Sequence, residues 1–129
     1  PTFAMIILVC LGITFLTELT SNLATTEMIL PILAAVAVAT EMNPLILMIP
    51  ATLSASCAFM MPVATPPNAI VFGSGRLTVA EMARVGIFLN IIGAVVVSVI
   101  VFTVGTVVFD IDPSIVPDWA QSMAEGVEG

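Results

Sequence analysis

The chain has no histidine, no tyrosine and no lysine, and its basic side chains are Arg76 and Arg84 alone. Without histidine, the commonest general base and the commonest imidazole metal ligand are both missing. Two cations against nine acids leave nothing to neutralise a phosphate backbone, which excludes a nucleic-acid partner. Charge of either sign is scarce, at 9% of 129 residues against roughly 25% in a soluble domain. So small a polar set cannot cover a folded chain of this length in water. The two cysteines, Cys10 and Cys57, lie in apolar runs and form neither a CxxC pair nor a zinc spacing, so they read as small buried thiols. With no catalytic Ser/His or Cys/His arrangement and no metal constellation, the chain is not expected to be an enzyme.

What is present is apolar surface: 60% of residues are hydrophobic and the mean hydropathy is +1.23. The expected solvent is a lipid bilayer. Four apolar segments stand out, at residues 3–19, 28–39, 44–72 and 85–109. The last, about 25 residues at 1.5 Å each, reaches about 37 Å and can cross a ~30 Å hydrocarbon core with some tilt. Both arginines fall between the third and fourth segments, while Asp110, Asp112, Asp118, Glu125 and Glu128 follow the fourth. By the positive-inside rule the 73–84 linker is cytoplasmic and the acidic tail, 110–129, is extracytoplasmic. Pro113, Pro117 and Trp119 give that tail the look of an interfacial anchor with a frayed end. The opening Pro1-Thr2-Phe3 lacks a methionine, a basic leader and a cleavage site, so the chain reads as the C-terminal piece of a longer one.

The first two segments are joined by residues 17–27, which carry no basic residue, Gly or Pro and make a poor cytoplasmic loop. A re-entrant hairpin over 1–40, entering and leaving from the same side, fits better. Non-helical backbone at that depth needs protein or a water-filled cavity around it. Thr14, Thr17, Glu18 and Ser21 follow i, i+3, i+4, i+7 spacing, which puts four polar side chains on one helix face and predicts that this face meets water or a ligand. Glu18 and Glu27 flank the tip. An acid there must be paired, protonated, cation-bound or bonded to backbone N–H groups, and Glu27 is expected in the first turn of the second arm.

The third segment, 44–73, is interrupted at 62–67, where Pro62, Pro66 and Pro67 cannot continue an upstream hydrogen-bond ladder. Two half-helices joined by an extended loop are predicted, with Thr65 capping the second and Asn68 in its first turn. A half-helix beginning inside the membrane aims free N–H groups and a positive dipole end at the cavity, which suits an anion. One that ends there exposes carbonyls, which suit Na⁺. Both kinds of end occur twice, so the arrangement predicts a site for an anion with accompanying cations. Among weaker signals, Gly73-Ser74-Gly75 reads as a turn, and Ser54, Ala55, Ser56, Gly86, Gly93, Ala94 and Ser98 suit close helix packing. Asn90 is expected to make an interhelical hydrogen bond.

The run Thr17-Glu18-Leu19-Thr20-Ser21-Asn22-Leu23-Ala24-Thr25-Thr26, followed by Pro62-Val63-Ala64-Thr65-Pro66-Pro67-Asn68-Ala69-Ile70-Val71-Phe72, resembles the divalent anion/sodium symporter family of dicarboxylate and citrate carriers. The resemblance implies an all-α integral membrane fold of two inverted repeats, each contributing a re-entrant hairpin and a broken helix. This chain would supply the second repeat's hairpin, broken transmembrane helix and final transmembrane helix, the C-terminal half of the transport domain. Carried over by position, Ser21, Asn22 and Leu23 would be the second Ser-Asn-Thr motif, with Asn22 on a substrate carboxylate and Thr65 and Pro66 bordering the substrate. Thr17 and Asn22, with the backbone at Ala64, would hold Na⁺, the coupling ion. Leu23 departs from the Thr of many members and cannot donate a hydrogen bond to a carboxylate.

The implied function is Na⁺-coupled secondary active transport of a di- or tricarboxylate such as succinate, malate, fumarate or citrate. The expected movement is of elevator type, in a multi-pass protein of the inner or plasma membrane. The implied partners are the substrate, Na⁺, the bilayer, the absent N-terminal half and a second copy in a homodimer; no other cofactor is expected. A Na⁺-independent dicarboxylate exchanger of the same fold and a small accessory membrane subunit are the alternatives.

Overall fold

The structure, a computed structural model, describes residues 1–126, with the side chains of Met123 and Ala124 left aside; Glu128 of the acidic tail lies outside the described residues. Its elements are α1 (Thr2–Leu16), α2 (Asn22–Ala39), α3 (Leu45–Ser54), α4 (Pro66–Gly73) and α5 (Val79–Ile100). The last continues through a π-helical turn (Val101–Gly105) into α6 (Thr106–Val108), and α7 (Asp118–Glu125) closes the chain. Among the described residues all regular structure is helical. Asn22–Ala39 and the continuous rod Val79–Val108 are each long and apolar enough to cross a membrane.

Local chemistry sets several of these ends. Pro66 opens α4, where its missing N–H costs nothing, and Thr65 Oγ1 accepts from Asn68 N–H at 3.3 Å. The last long helix starts at Val79, six residues ahead of the apolar run at 85, because Thr78 and Glu81 form a capping box. Glu81 N–H donates to Thr78 Oγ1 at 3.2 Å and Thr78 N–H to Glu81 Oε2 at 2.8 Å. Arg84 therefore belongs to the helix. Thr78→Ala is expected to cost about 1 kcal/mol, read as a lower thermal midpoint of the purified protein. An unchanged midpoint would mean that this cap carries no stability.

Two helices end without glycine in left-handed closures, at Glu41 (φ 58) and Asp110 (φ 50). In each, the next N–H reaches back five residues: Met42 to the Ala37 carbonyl at 2.8 Å, and Ile111 to that of Thr106 at 3.0 Å. Both closures turn an apolar side chain inward, and Met42 and Ile111 are buried.

The core lies where α3 sits against α1 and α2, with α5 packed across α1 and α3. Ile6, Cys10 and Ile13 of α1, Leu33 and Ala37 of α2, Ile46, Leu47 and Ala51 of α3 and Ala94 of α5 fill it. At one end of this bundle the Phe3 ring meets Phe102 edge-on, with centroids 5.5 Å apart. At the α2–α3 junction Asn43 N–H donates to the Pro113 carbonyl at 3.2 Å. The segment after α6 thus returns to the bundle, and α7 packs on α2, with Ala120 buried. In that segment the Ser114 hydroxyl and N–H both donate to Asp112, which holds its carboxyl below the usual carboxylate range.

Candidate functional site

Helix α1 stops at Leu16, and Thr17 through Thr20 form the tip before Ser21 caps α2, its Oγ accepting from Ala24 N–H at 3.5 Å. Thr20 and Thr25 hydroxyls bridge the two sides of the tip at 2.6 Å. Of the face expected to meet water or a ligand, Thr14, Thr17 and Glu18 are turned into protein, while Ser21 stays exposed. Thr14 and Thr17 are fully buried and Glu18 is 4% exposed. Thr14 Oγ1 donates to the Ser54 carbonyl at 3.4 Å, and Thr17 Oγ1 to the Thr14 carbonyl at 3.1 Å.

Glu18 finds backbone donors. Its Oε1 accepts from Phe59 N–H at 2.9 Å, Met60 N–H at 3.0 Å and Asn90 Nδ2 at 2.6 Å; its Oε2 accepts from Met61 N–H at 3.0 Å. Asn90, fully buried in the middle of α5, also accepts from Phe59 N–H through Oδ1 at 3.1 Å. Three consecutive N–H groups and one amide converge on the carboxylate, three donors on Oε1 and one on Oε2. Helix α3 accordingly ends at Ser54, well before Pro62, and residues 55–65 run without helix. Those N–H groups bond a side chain across the fold instead of the preceding turn.

Gly86, one turn before Asn90, admits this backbone. A Cβ there would stand 2.4 Å from the Phe59 carbonyl oxygen and 2.5 Å from Met60 Cα. The small-residue stripe of α5 is thus fitted to non-helical chain at its upper end. Asn68 closes the far side, its Nδ2 donating to the carbonyls of Ala58 at 2.9 Å and Met61 at 3.1 Å.

The residues singled out in the sequence fall into two groups. Thr17, Ser21, Asn22 and Leu23 lie at the tip and the start of α2; Ala64, Thr65 and Pro66 lie at the start of α4. No direct hydrogen bond joins the groups among the described residues, and Glu18 ties the first to the segment leading into the second. Asn22 opens α2 with its Oδ1 buried and without a hydrogen-bond partner. An orphaned amide oxygen beside a tip of hydroxyls fits a cation or a donor supplied from outside this segment. No group of three acidic, His or Cys side chains that could hold a metal occurs among the described residues, so a Na⁺ site would rest on carbonyl, amide and hydroxyl oxygens. Leu23 is 68% exposed. Glu27 is exposed in the second turn of α2, not the first, so the helix-end argument does not apply to it. The hollows beside Asp110 and beside Thr52 are lined by none of these residues.

A family model described as the sodium:sulfate symporter transmembrane region matches residues 1–111. The sodium-dependent dicarboxylate transporter SdcS of Staphylococcus saprophyticus is 47% identical over 108 residues, which is 84% of this chain and 21% of that protein. Solute carrier family 13 member 2 of Oryctolagus cuniculus is 49% identical over 122 residues, 95% of this chain and 20% of that protein. SdcS of Staphylococcus aureus strain USA300 is 52% identical over 96 residues, 74% of this chain and 18% of that protein. The chain spans about a fifth of the length of these relatives. The matched residues take in α1, the tip, the non-helical segment and the last long helix, and the chain belongs to the sodium:sulfate symporter transmembrane family, the divalent anion/sodium symporters.

Proposed function

We propose that this chain is the C-terminal half of the transport domain of a Na⁺-coupled carrier that brings di- or tricarboxylates, such as succinate, malate, fumarate or citrate, into the cell. The observation that carries this reading is the buried, partnerless Asn22 Oδ1 at the start of α2, in a chain of a symporter family. It belongs with the sodium-dependent dicarboxylate transporters among the relatives.

The anion would lie between the starts of α2 and α4, whose first N–H groups and positive dipole ends would hold it without any lysine or arginine from this chain. Ser21, Asn22, Thr65 and Pro66 border that space, and Leu23 dries one side of it. Thr17, Asn22 and the Ala64 carbonyl would hold Na⁺ beside it. Three contacts favour a hairpin that re-enters from one side. Phe3 lies beside Phe102, Asn43 bonds Pro113, and Glu18 meets Asn90 near mid-helix. On this reading residues 73–84, the turn after α4 with the first turns of α5, are cytoplasmic, the tail is outside, and hairpin, broken helix and last helix move together across the membrane of a homodimer.

In the full-length protein reconstituted in vesicles, inward Na⁺ is expected to drive succinate or citrate uptake. Asn22→Ala is expected to weaken it by about 10-fold or more, since a hydrogen bond to a charged group is worth about 1.5–3 kcal/mol. Unchanged uptake in that variant would sink the site assignment. Uptake driven by internal dicarboxylate without Na⁺ would point to the exchanger instead.

A further inference from the structure

We propose that Glu18 and Asn90 are positioning residues for transport: together they fix the Phe59–Met61 backbone against the hairpin tip and so set where Ala64 and Thr65 stand relative to Thr17 and Asn22. The inference rests on the transport reading above and adds two residues that do not themselves touch substrate or ion.

Neither side chain is available to a ligand. Glu18 is 4% exposed and Asn90 fully buried, and four donors from this chain meet the carboxylate, three on Oε1 and one on Oε2. A cation approaching Glu18 would meet the positive ends of three N–H groups. The bonds instead run onward. Met61 N–H donates to Glu18 Oε2, and the carbonyl of the same residue accepts from Ala64 N–H at 3.1 Å and from Asn68 Nδ2 at 3.1 Å. Asn68 N–H in turn donates to the Thr65 hydroxyl. From Glu18, which adjoins Thr17 in the chain, an unbroken series of hydrogen bonds therefore reaches both Ala64 and Thr65. Asn90 supplies the anchorage. Through one amide it holds Glu18 and Phe59 N–H together against α5, a helix that Gly86 allows to approach the loop backbone at contact distance. Groups that orient ligands without touching the ion typically cost 10–100-fold in affinity when changed.

The test is succinate uptake by the full-length carrier in vesicles, normalised to the amount of inserted protein. Glu18→Gln removes one acceptor oxygen and brings an NH₂ against a backbone N–H. The half-saturating succinate concentration is expected to rise about 10-fold or more, with the Hill coefficient for Na⁺ unchanged. Asn90→Asp sets two carboxylates in contact and is expected to be the more severe. The exchange Glu18→Gln with Asn90→Asp keeps the charge in the cluster and lets the new amide donate to the new carboxylate. It is expected to fall between wild type and Glu18→Gln, a non-additivity that only a direct pair shows. Where the single variants insert too poorly to assay, this exchange is read by the same half-saturation.

Variants that lower only the amount of inserted protein, at wild-type half-saturation, would reduce the pair to a structural role and overturn the proposal. A lowered Hill coefficient at unchanged succinate half-saturation would make Glu18 a cation ligand and overturn it too. Wild-type uptake without Na⁺ would instead remove the coupling ion from the proposed function, while the succinate half-saturation still tests the pair.

Discussion

Gly86→Ala is expected to leave little or no folded protein, although it adds one methyl group to a helix. The new Cβ would lie 2.4 Å from a backbone oxygen and 2.5 Å from a Cα, distances at which something must move. A flexible side chain could swing away, but these atoms belong to the Phe59–Met60 backbone, held from the other side by Glu18 and Asn90. Relief of the clash breaks those bonds. Overpacking alone costs about 1–3 kcal/mol, and the lost bonds take the expected total above about 3 kcal/mol. Gly93→Ala, two turns along, is the matched comparison. Its Cβ would meet Cys57 Cβ and Phe59 Cε2 at 3.8 Å, ordinary contact, and alanine favours helix, so a neutral or slightly raised thermal midpoint is expected. Equal midpoints for the two variants would show that the loop does not press on α5 at Gly86.

Glu18→Ala is expected to be as damaging for a different reason. It strands the N–H groups of Met60 and Met61 and the Asn90 amide, while Phe59 N–H keeps the Asn90 carbonyl oxygen as a partner. Each buried unsatisfied group costs about 1–3 kcal/mol, so a loss on the order of 3–5 kcal/mol is expected. Protein amount and thermal midpoint after purification measure it. Glu27→Ala removes an exposed acid and is expected to stay within about 0.5 kcal/mol of the parent. A Glu18→Ala protein as stable as the Glu27→Ala protein would contradict the hydrogen-bond arrangement around the carboxylate.

Features dictated by neighbours in the chain were legible in the sequence. Thr65 before Pro66-Pro67 announces a helix start, and the apolar run at 85–109 announces a long helix. The Thr78-Val79-Ala80-Glu81 signature is equally local, and it starts the helix at Val79, ahead of the apolar run and of Arg84. The end of α3 at Ser54 left no local trace, because Ala55, Ser56, Cys57 and Ala58 contain no breaker. It is imposed by a carboxylate about forty residues upstream. Likewise the polar face of α1 was visible by its spacing, but spacing does not say whether a face meets water, ligand or another stretch of backbone. Gly86 suits close packing and Asn90 an interhelical hydrogen bond by residue type alone. Their common partner, the non-helical segment, could not be inferred from helix periodicity, since that segment has none.

The carboxylate also constrains the order in which the protein is built. Glu18 leaves the ribosome 41 residues before Phe59, the first of its backbone donors, and 72 residues before Asn90. An unpaired acid in lipid is costly, and Glu18 stands just past the end of α1, so until Phe59–Met61 and Asn90 have been made its carboxylate needs water or another partner. The tip can therefore take its final hydrogen-bonded form only after α5 has been made.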